Sequence, residues 1–208
     1  MVTDLDALVR RALGRPGRAL IGIAGPPGAG KSTLAQRLVT AAGPAGAWVP
    51  MDGFHLADAA LDRLGLRGRK GAPETFDGWG YLALLRRLAA ETDHPVWAPG
   101  FERTLEQPLA GAIPVLPAAR LVVTEGNYLL LDLPEWRAVR AELDEVWFVE
   151  VDDVVRRARL VARHVAFGKS PADAERWVAE VDDPNALLVA STRGRADRLV
   201  AGSTPREG

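Results

Sequence analysis

Residues 25 to 32 read Gly-Pro-Pro-Gly-Ala-Gly-Lys-Ser, which fits the spacing G-x-x-x-x-G-K-[ST]. The three glycines let the backbone turn tightly enough to aim several N–H groups inward. A helix starting at Lys31 would add the positive end of its dipole, so an anion is held without side-chain reorganisation. Lys31 would reach the terminal phosphates, and the Ser32 hydroxyl would bind the Mg²⁺ that accompanies a nucleoside triphosphate. The nucleotide-binding set expected from this run is Gly25, Pro26, Pro27, Gly28, Ala29, Gly30, Lys31, Ser32 and Thr33. It lies between the apolar run ALIGIA and the helical pattern KSTLAQRLV, the flanks that the motif needs to work.

Two carboxylates stand where they could serve that loop. Asp52, in PMDGFHL, closes the second apolar run, and Glu125, in VVTEG, closes the third. Ligands of open α/β sheets bind at the carboxyl edge of the strands. There Asp52 can take the proton of an attacking hydroxyl as general base, or it is simply the aspartate of an Asp-Gly turn. Glu125 can hold Mg²⁺ directly or through water, or it is a solvated strand-end glutamate. Asn127, two positions further on, joins the acceptor-side set.

Basic residues supply the remaining chemistry. Arg156, Arg159 and Arg163 fall at i, i+3 and i+7, so a helix over Asp152 to Ala166 would carry them on one face. Such a row folds over a triphosphate and stabilises the charge of a transferring phosphoryl group, or it is a solvated basic face. In the loop GRKGAPETFD, Arg69 and Lys70 either reach an anionic group of an acceptor or stay in water. His55 follows Asp52 closely enough to line the same pocket, and His55, His94 and His164 show no paired metal spacing.

The elements that must position these residues read as alternating strands and helices. An opening amphipathic helix runs to Leu13 with Thr3 as its cap. Strands are expected at Ala19 to Ala24, Ala47 to Met51, Leu121 to Thr124 and Val146 to Val151, with Leu199 to Ala201 closing the sheet. The second strand is expected beside the first. Helices are expected at Lys31 to Ala42, Leu56 to Leu64, Trp79 to Ala90, Glu135 to Leu143, Asp152 to Ala166 and Pro171 to Val181. Gly65 to Gly78 reads as a loop, and Pro95 to Pro117 as a long excursion with one or two short strands. The pattern predicts an α/β fold of three layers: a mostly parallel sheet, helices on both faces, and a small helical lid over about residues 152 to 181.

Composition sets the outer limits. Among 208 residues, 48% are hydrophobic and 25% charged, with 26 basic against 27 acidic residues, as in one ordinary soluble domain. A chain of this length buries roughly 70% of its unfolded surface, so no disulfide or metal staple is needed. With no cysteine, a disulfide framework, a thiolate nucleophile and a zinc-cysteine site are excluded. The near-zero net charge argues against nucleic acid, and no run is long enough for a membrane span. The expectation is a cytoplasmic protein, monomer or homodimer.

In order along the chain, GPPGAGKS, PMDGFHL, RKGAPETFD, VVTEGNYLLL, the arginine-rich segment and TRGRAD resemble the phosphoribulokinase and uridine kinase group of P-loop kinases, which includes the bacterial type of pantothenate kinase. The likeness is nearest to a bacterial nucleoside/nucleotide kinase-like branch, some of whose members carry fructokinase labels. The resemblance implies a P-loop NTPase fold and ATP-dependent phosphorylation of a small-molecule hydroxyl, with Asp52 as base and Glu125 near magnesium. The motif and the helical spacing make Lys31, Arg159 and Arg163 the expected transfer-assisting set, and TRGRAD resembles the segment that touches the adenine in these kinases, which makes Thr192 and Arg193 candidates for the base. Trp97, Phe101, Glu102 and Arg103 occupy the excursion that helps form the acceptor site in these kinases. Uridine and pantothenate kinases carry a tyrosine and a histidine there, a departure that leaves neither substrate assigned. Arg103 suits a phosphate, a carboxylate or a polyol, or forms a surface salt bridge with Glu102 or Glu106. A P-loop ATPase or nucleotide switch acting on a partner is the competing reading. The sequence has no N-K-x-D element of a guanine switch.

Overall fold

The computed structural model describes residues 5–202. Its centre is strand β1 (Ala19–Ala24), buried at every position and flanked by two parallel neighbours. On one side lies β5 (Leu121–Glu125), also buried throughout, and beyond it β2 (Gly46–Pro50). On the other side lie β6 (Glu145–Glu150) and β7 (Arg198–Ala201). The order is β2-β5-β1-β6-β7, and all four pairings are parallel. Strands buried on both faces read as unbroken apolar runs, which is why ALIGIA and LVV are legible as strands. The expected adjacency of β2 and β1 is corrected: β5 is inserted between them, because strand order depends on long-range pairing that local sequence does not encode.

Helices cover both faces. Against one, α1 (Leu5–Leu13) and α2 (Lys31–Ala42) bring Val9, Leu34 and Leu38 onto Ile21, Ile23 and Val123. Thr3, the cap expected for α1, lies outside the described residues. Against the other face, α4 (Gly78–Ala90) and α5 (Pro134–Glu142) bring Tyr81, Leu85, Trp136 and Val139 onto Leu20, Val122 and Val146. Asp77 caps α4 by accepting the Gly80 N–H at 2.8 Å. The helix expected from Leu56 begins later, as α3 (Asp58–Leu64), and the loop after it contains two short 3₁₀ turns.

The excursion is a two-stranded antiparallel hairpin, β3 (Val96–Glu102) and β4 (Gln107–Val115), separate from the main sheet. After β6 come α6 (Asp153–Ala166) and α7 (Pro171–Trp177). The helix expected to run to Val181 changes at Val178 into a π-helical turn ending at Asp182, and a further helix follows, α8 (Asp183–Ala190). Pro184 in the first turn of α8 is a helix-start signal that marks the missed element. Among the described residues, no helix is long and apolar enough to cross a membrane.

Arg18, just before β1, ties three segments together. It is buried and donates to the carbonyls of Ala119 at 2.7 Å, Leu88 at 2.8 Å, Leu116 at 3.1 Å and Glu91 at 3.2 Å. The Leu88 carbonyl belongs to the last turn of α4 and has no later helical N–H to accept. A planar guanidinium satisfies several such acceptors at once. Arg18→Met should lower stability in urea unfolding by about 2–4 kcal/mol, because it leaves carbonyls unpaired, and Arg18→Lys should recover only part of the loss. A Met variant within about 0.5 kcal/mol of the parent would contradict this role.

Candidate active site

The loop from Gly25 to Gly30 joins β1 to α2, and its glycines are required by dihedral, two of them by space as well. Gly25, Gly28 and Gly30 have φ of 149°, 80° and 96°. A Cβ on Gly25 would lie 2.9 Å from the Val149 carbonyl oxygen, and one on Gly28 would lie 2.9 Å from that of Arg156. Only glycine fits this conformation at these approaches. Lys31 is buried, and its Nζ donates to the Pro26 carbonyl at 3.1 Å and to Asn127 Oδ1 at 2.7 Å. Burial pulls the ammonium pKa down, and the charges of Glu125 and Asp52 push it back up.

Ser32 Oγ donates to Glu125 Oε1 at 2.9 Å, so the two side chains expected to hold a metal are already in contact. Glu125 is buried at the end of β5, where burial raises its pKa. The neighbouring Asp52 charge adds to that rise, and Lys31, Ser32 and Arg103 oppose it. Among the described residues, no group of three His, Asp or Glu side chains could hold a metal by itself. A hydroxyl and one carboxylate suit Mg²⁺, which keeps most of its shell for phosphate and water. The glycine cradle, the buried ammonium and the Ser32–Glu125 pair together fit a magnesium nucleotide.

Asp52 reaches the same space from β2. After Pro50 the chain enters a 3₁₀ turn, Met51–Phe54, and the hairpin presses on that turn: a Cβ on Gly53 would lie 2.3 Å from the Pro99 carbonyl oxygen. Asp52 lines a cleft of about 610 Å³ with Lys31, Ser32 and Glu125. Its Oδ2 is 3.7 Å from Arg103 Nη2, so Arg103 pairs with Asp52 rather than with Glu102 or Glu106.

Beyond Asp52 the cleft is walled by aromatic and basic groups. The His55 ring is 3.9 Å from that of Phe76 and 4.9 Å from that of Phe101, centroid to centroid, and its Nδ1 lies 2.9 Å from the Asp52 carbonyl oxygen. Burial holds its pKa below the ordinary imidazole value, against the pull of Asp52. Lys70 bonds Asp58 Oδ1 at 2.7 Å and the Glu106 carbonyl, and its Nζ sits 5.5 Å from the centre of the Phe101 ring. Arg69 does not reach the cleft. Its side chain is exposed and held by Glu74 at 2.6 Å, whereas Arg67, paired with Asp58 at 2.7 Å, lines the cleft in its place.

The opposite wall comes from α6. Arg159 and Arg163 line the cleft, and Arg159 Nη1 is 3.5 Å from the Gly28 carbonyl oxygen. Arg156 departs from the expected row. It packs behind Gly28, buried, with Nε on Asp153 at 2.7 Å and Nη2 on Asp183 at 2.6 Å, so it braces α6 against α8. Arg193 also lies outside the lining, bonded to Glu150 at 2.6 Å, and Thr192 is buried with its hydroxyl on the Val189 carbonyl. Asp58, Asp182 and Asn185 line the cleft without having been singled out by sequence. The Asp-Pro start of α8 is the signal that leads to Asn185.

A parallel sheet with this glycine cradle at the carboxyl end of its central strand defines a P-loop nucleotide-binding protein. No family model matches the chain. A uridine kinase candidate of Schizosaccharomyces pombe is 36% identical over 192 residues, 84% of this chain and 79% of that protein. The ATP-dependent kinase-like protein notR' of Aspergillus versicolor is 36% identical over 162 residues, 74% of this chain and 94% of that protein. The crystal structure of a candidate fructose transport system kinase from Silicibacter sp. TM1040 superposes with a TM-score of 0.86 at 38% identity, covering 95% of this chain and 99% of the other. The chain belongs to the uridine kinase-like family of P-loop kinases.

The depressed pKa of His55 gives a pH signature. The unfolded chain takes up a proton near pH 6.5 that the folded cleft resists, so stability falls as pH drops from about 6.5 toward the lower folded value. His55→Gln should lose less thermal stability than the parent between about pH 7 and pH 5.5. Parallel losses in the two proteins would contradict the assignment.

Proposed function

We propose that the protein is an ATP-dependent kinase that transfers the γ-phosphoryl group to a hydroxyl of a small metabolite. One observation carries the reading: a single cleft runs from Lys31 and Ser32 past Asp52 and on to His55, Phe101 and Arg103, which leaves room for an acceptor beyond the base. A hydrolase needs only the first half of that cleft.

In the proposed reaction the acceptor oxygen forms a bond to the γ-phosphorus while its proton passes to an Asp52 carboxylate oxygen. The bond from that phosphorus to the β–γ bridging oxygen breaks, and ADP leaves. The triphosphate lies in the cradle of Gly25 to Gly30, with Lys31 on its outer oxygens. Ser32 and Glu125 would hold magnesium, which neutralises phosphate charge when bound. Asn127 accepts from the Lys31 ammonium and keeps it extended toward the cradle. Arg159 and Arg163 stabilise the charge spread over the phosphoryl oxygens, and α6 with its neighbours serves as the lid that keeps water out. His55 and Phe101 contribute to the acceptor wall.

ADP release measured across sugars, nucleosides, hydroxy acids and vitamin precursors tests the proposal, which expects at least one acceptor to raise turnover well above hydrolysis. If none does, the ATPase reading replaces it. With an accepted substrate, Asp52→Asn should cut kcat by on the order of a hundredfold or more while leaving the KM for ATP near the parent value. Loss of ATP binding in that variant would instead make Asp52 a structural or metal residue.

A further inference from the structure

Three cations stand on the acceptor side of the cleft, and two are already used. Arg67 and Lys70 each bond one oxygen of Asp58, and Lys70 also bonds the Glu106 carbonyl. Arg103 is different. Among the described residues it donates no hydrogen bond, and its one ion pair, at 3.7 Å, is too long to be one. The partner in that pair is Asp52, the carboxylate that must receive the acceptor's proton. A guanidinium with five donors is thus parked loosely on the base, in the space an acceptor must enter.

Resting on the kinase reading, we infer that the acceptor carries an anionic group, a carboxylate or a phosphate, which takes Arg103 from Asp52 and thereby frees the base. The exchange is favourable because the planar guanidinium trades one long contact for a bidentate pair of charge-assisted hydrogen bonds. It also takes a positive charge away from the oxygen that must accept a proton. Glu106 lines the same end of the cleft, so the anion seats on the Arg103 side, and the remaining polar wall of His55 and Glu106 fits hydroxyls. Together these features describe a polyhydroxylated acid or a sugar phosphate. A neutral sugar or nucleoside would leave Arg103 where it is.

The test pairs charged and neutral acceptors of one skeleton, gluconate with glucose and fructose 6-phosphate with fructose, and adds uridine, using the full chain with ATP and Mg²⁺. At least one charged member should exceed its neutral counterpart in kcat/KM by roughly 10- to 100-fold, the range expected for hydrogen bonds to a charged group. The pair showing the preference tells a carboxylate from a phosphate. Arg103→Ala should shrink that preference to a few-fold, chiefly through the KM of the charged acceptor, and Arg103→Lys should restore only part of it. Calorimetric titration of gluconate and of inorganic phosphate onto the protein loaded with a non-hydrolysable ATP analogue should give a binding signal for one of them that Arg103→Ala loses. Efficient turnover of neutral acceptors alone, or a preference unchanged in a folded Arg103→Ala, would overturn the inference and leave the kinase reading standing. Turnover of no acceptor would count against the kinase reading, and this inference would fall with it.

Discussion

A buried ammonium governs the architecture. Lys31 sits at the junction of β1 and α2 with almost no access to water, and a charge in that position is costly unless it is paired and hydrogen-bonded. The pairing comes from the next strand. The register of β1 with β5 sets Ile23 beside Glu125, the Gly126 N–H bonds the Ile23 carbonyl at 3.1 Å, and Asn127 then reaches the Lys31 Nζ. Two carboxylates, Glu125 and Asp52, and one amide thus compensate one cation. A magnesium nucleotide entering the cradle meets an ammonium and a carboxylate already in place, with little reorganisation left to do.

The same pairing explains why the cleft lies where it does. The chain builds β2 and β5 on one side of β1 and β6 and β7 on the other, so the carboxyl edge at β1 is where the sheet changes direction of growth. Crevices form at such points. The P-loop fills the crevice floor, the turn after β2 carries Asp52 to one wall, and α6 supplies the opposite wall. Gly53 and Gly126 let these pieces close up: a Cβ on the first would strike the hairpin backbone, and one on the second would strike the Met51 side chain. The hairpin is thereby held against the turn that carries Asp52, and it brings Phe101 and Arg103 with it.

The candidate site is most legible where it is local. The residues of the phosphate loop are consecutive, and Asp52 and Glu125 each close an apolar strand, so spacing and flanks suffice to bring them to one cleft. Arg156 shows the limit. Helical periodicity puts it with Arg159 and Arg163, but Gly28 draws the backbone so close that this side chain is enclosed and pairs with Asp183 on α8, a helix that the apolar periodicity does not mark. Arg69 and Lys70 are adjacent in sequence, yet one faces Glu74 in solvent and the other the cleft, a choice made by the 3₁₀ turn at Arg67–Arg69. Sequence places Arg103 in the excursion as a cation without a defined partner. Its contact with Asp52 spans 51 positions and emerges only when the hairpin folds over β2.

The central claim is spatial: the Asp52 carboxylate faces the outermost phosphorus of a nucleotide in the cradle, with room for an alcohol oxygen between them. A crystal structure with magnesium and a non-hydrolysable ATP analogue tests it most directly. The account predicts an open, water-filled gap between Asp52 and the γ-phosphorus, wide enough for a hydroxyl oxygen to sit about 3–3.5 Å from that atom while hydrogen-bonded to the carboxylate. A carboxylate turned away from the phosphate, or walled off from it by protein atoms, would contradict it.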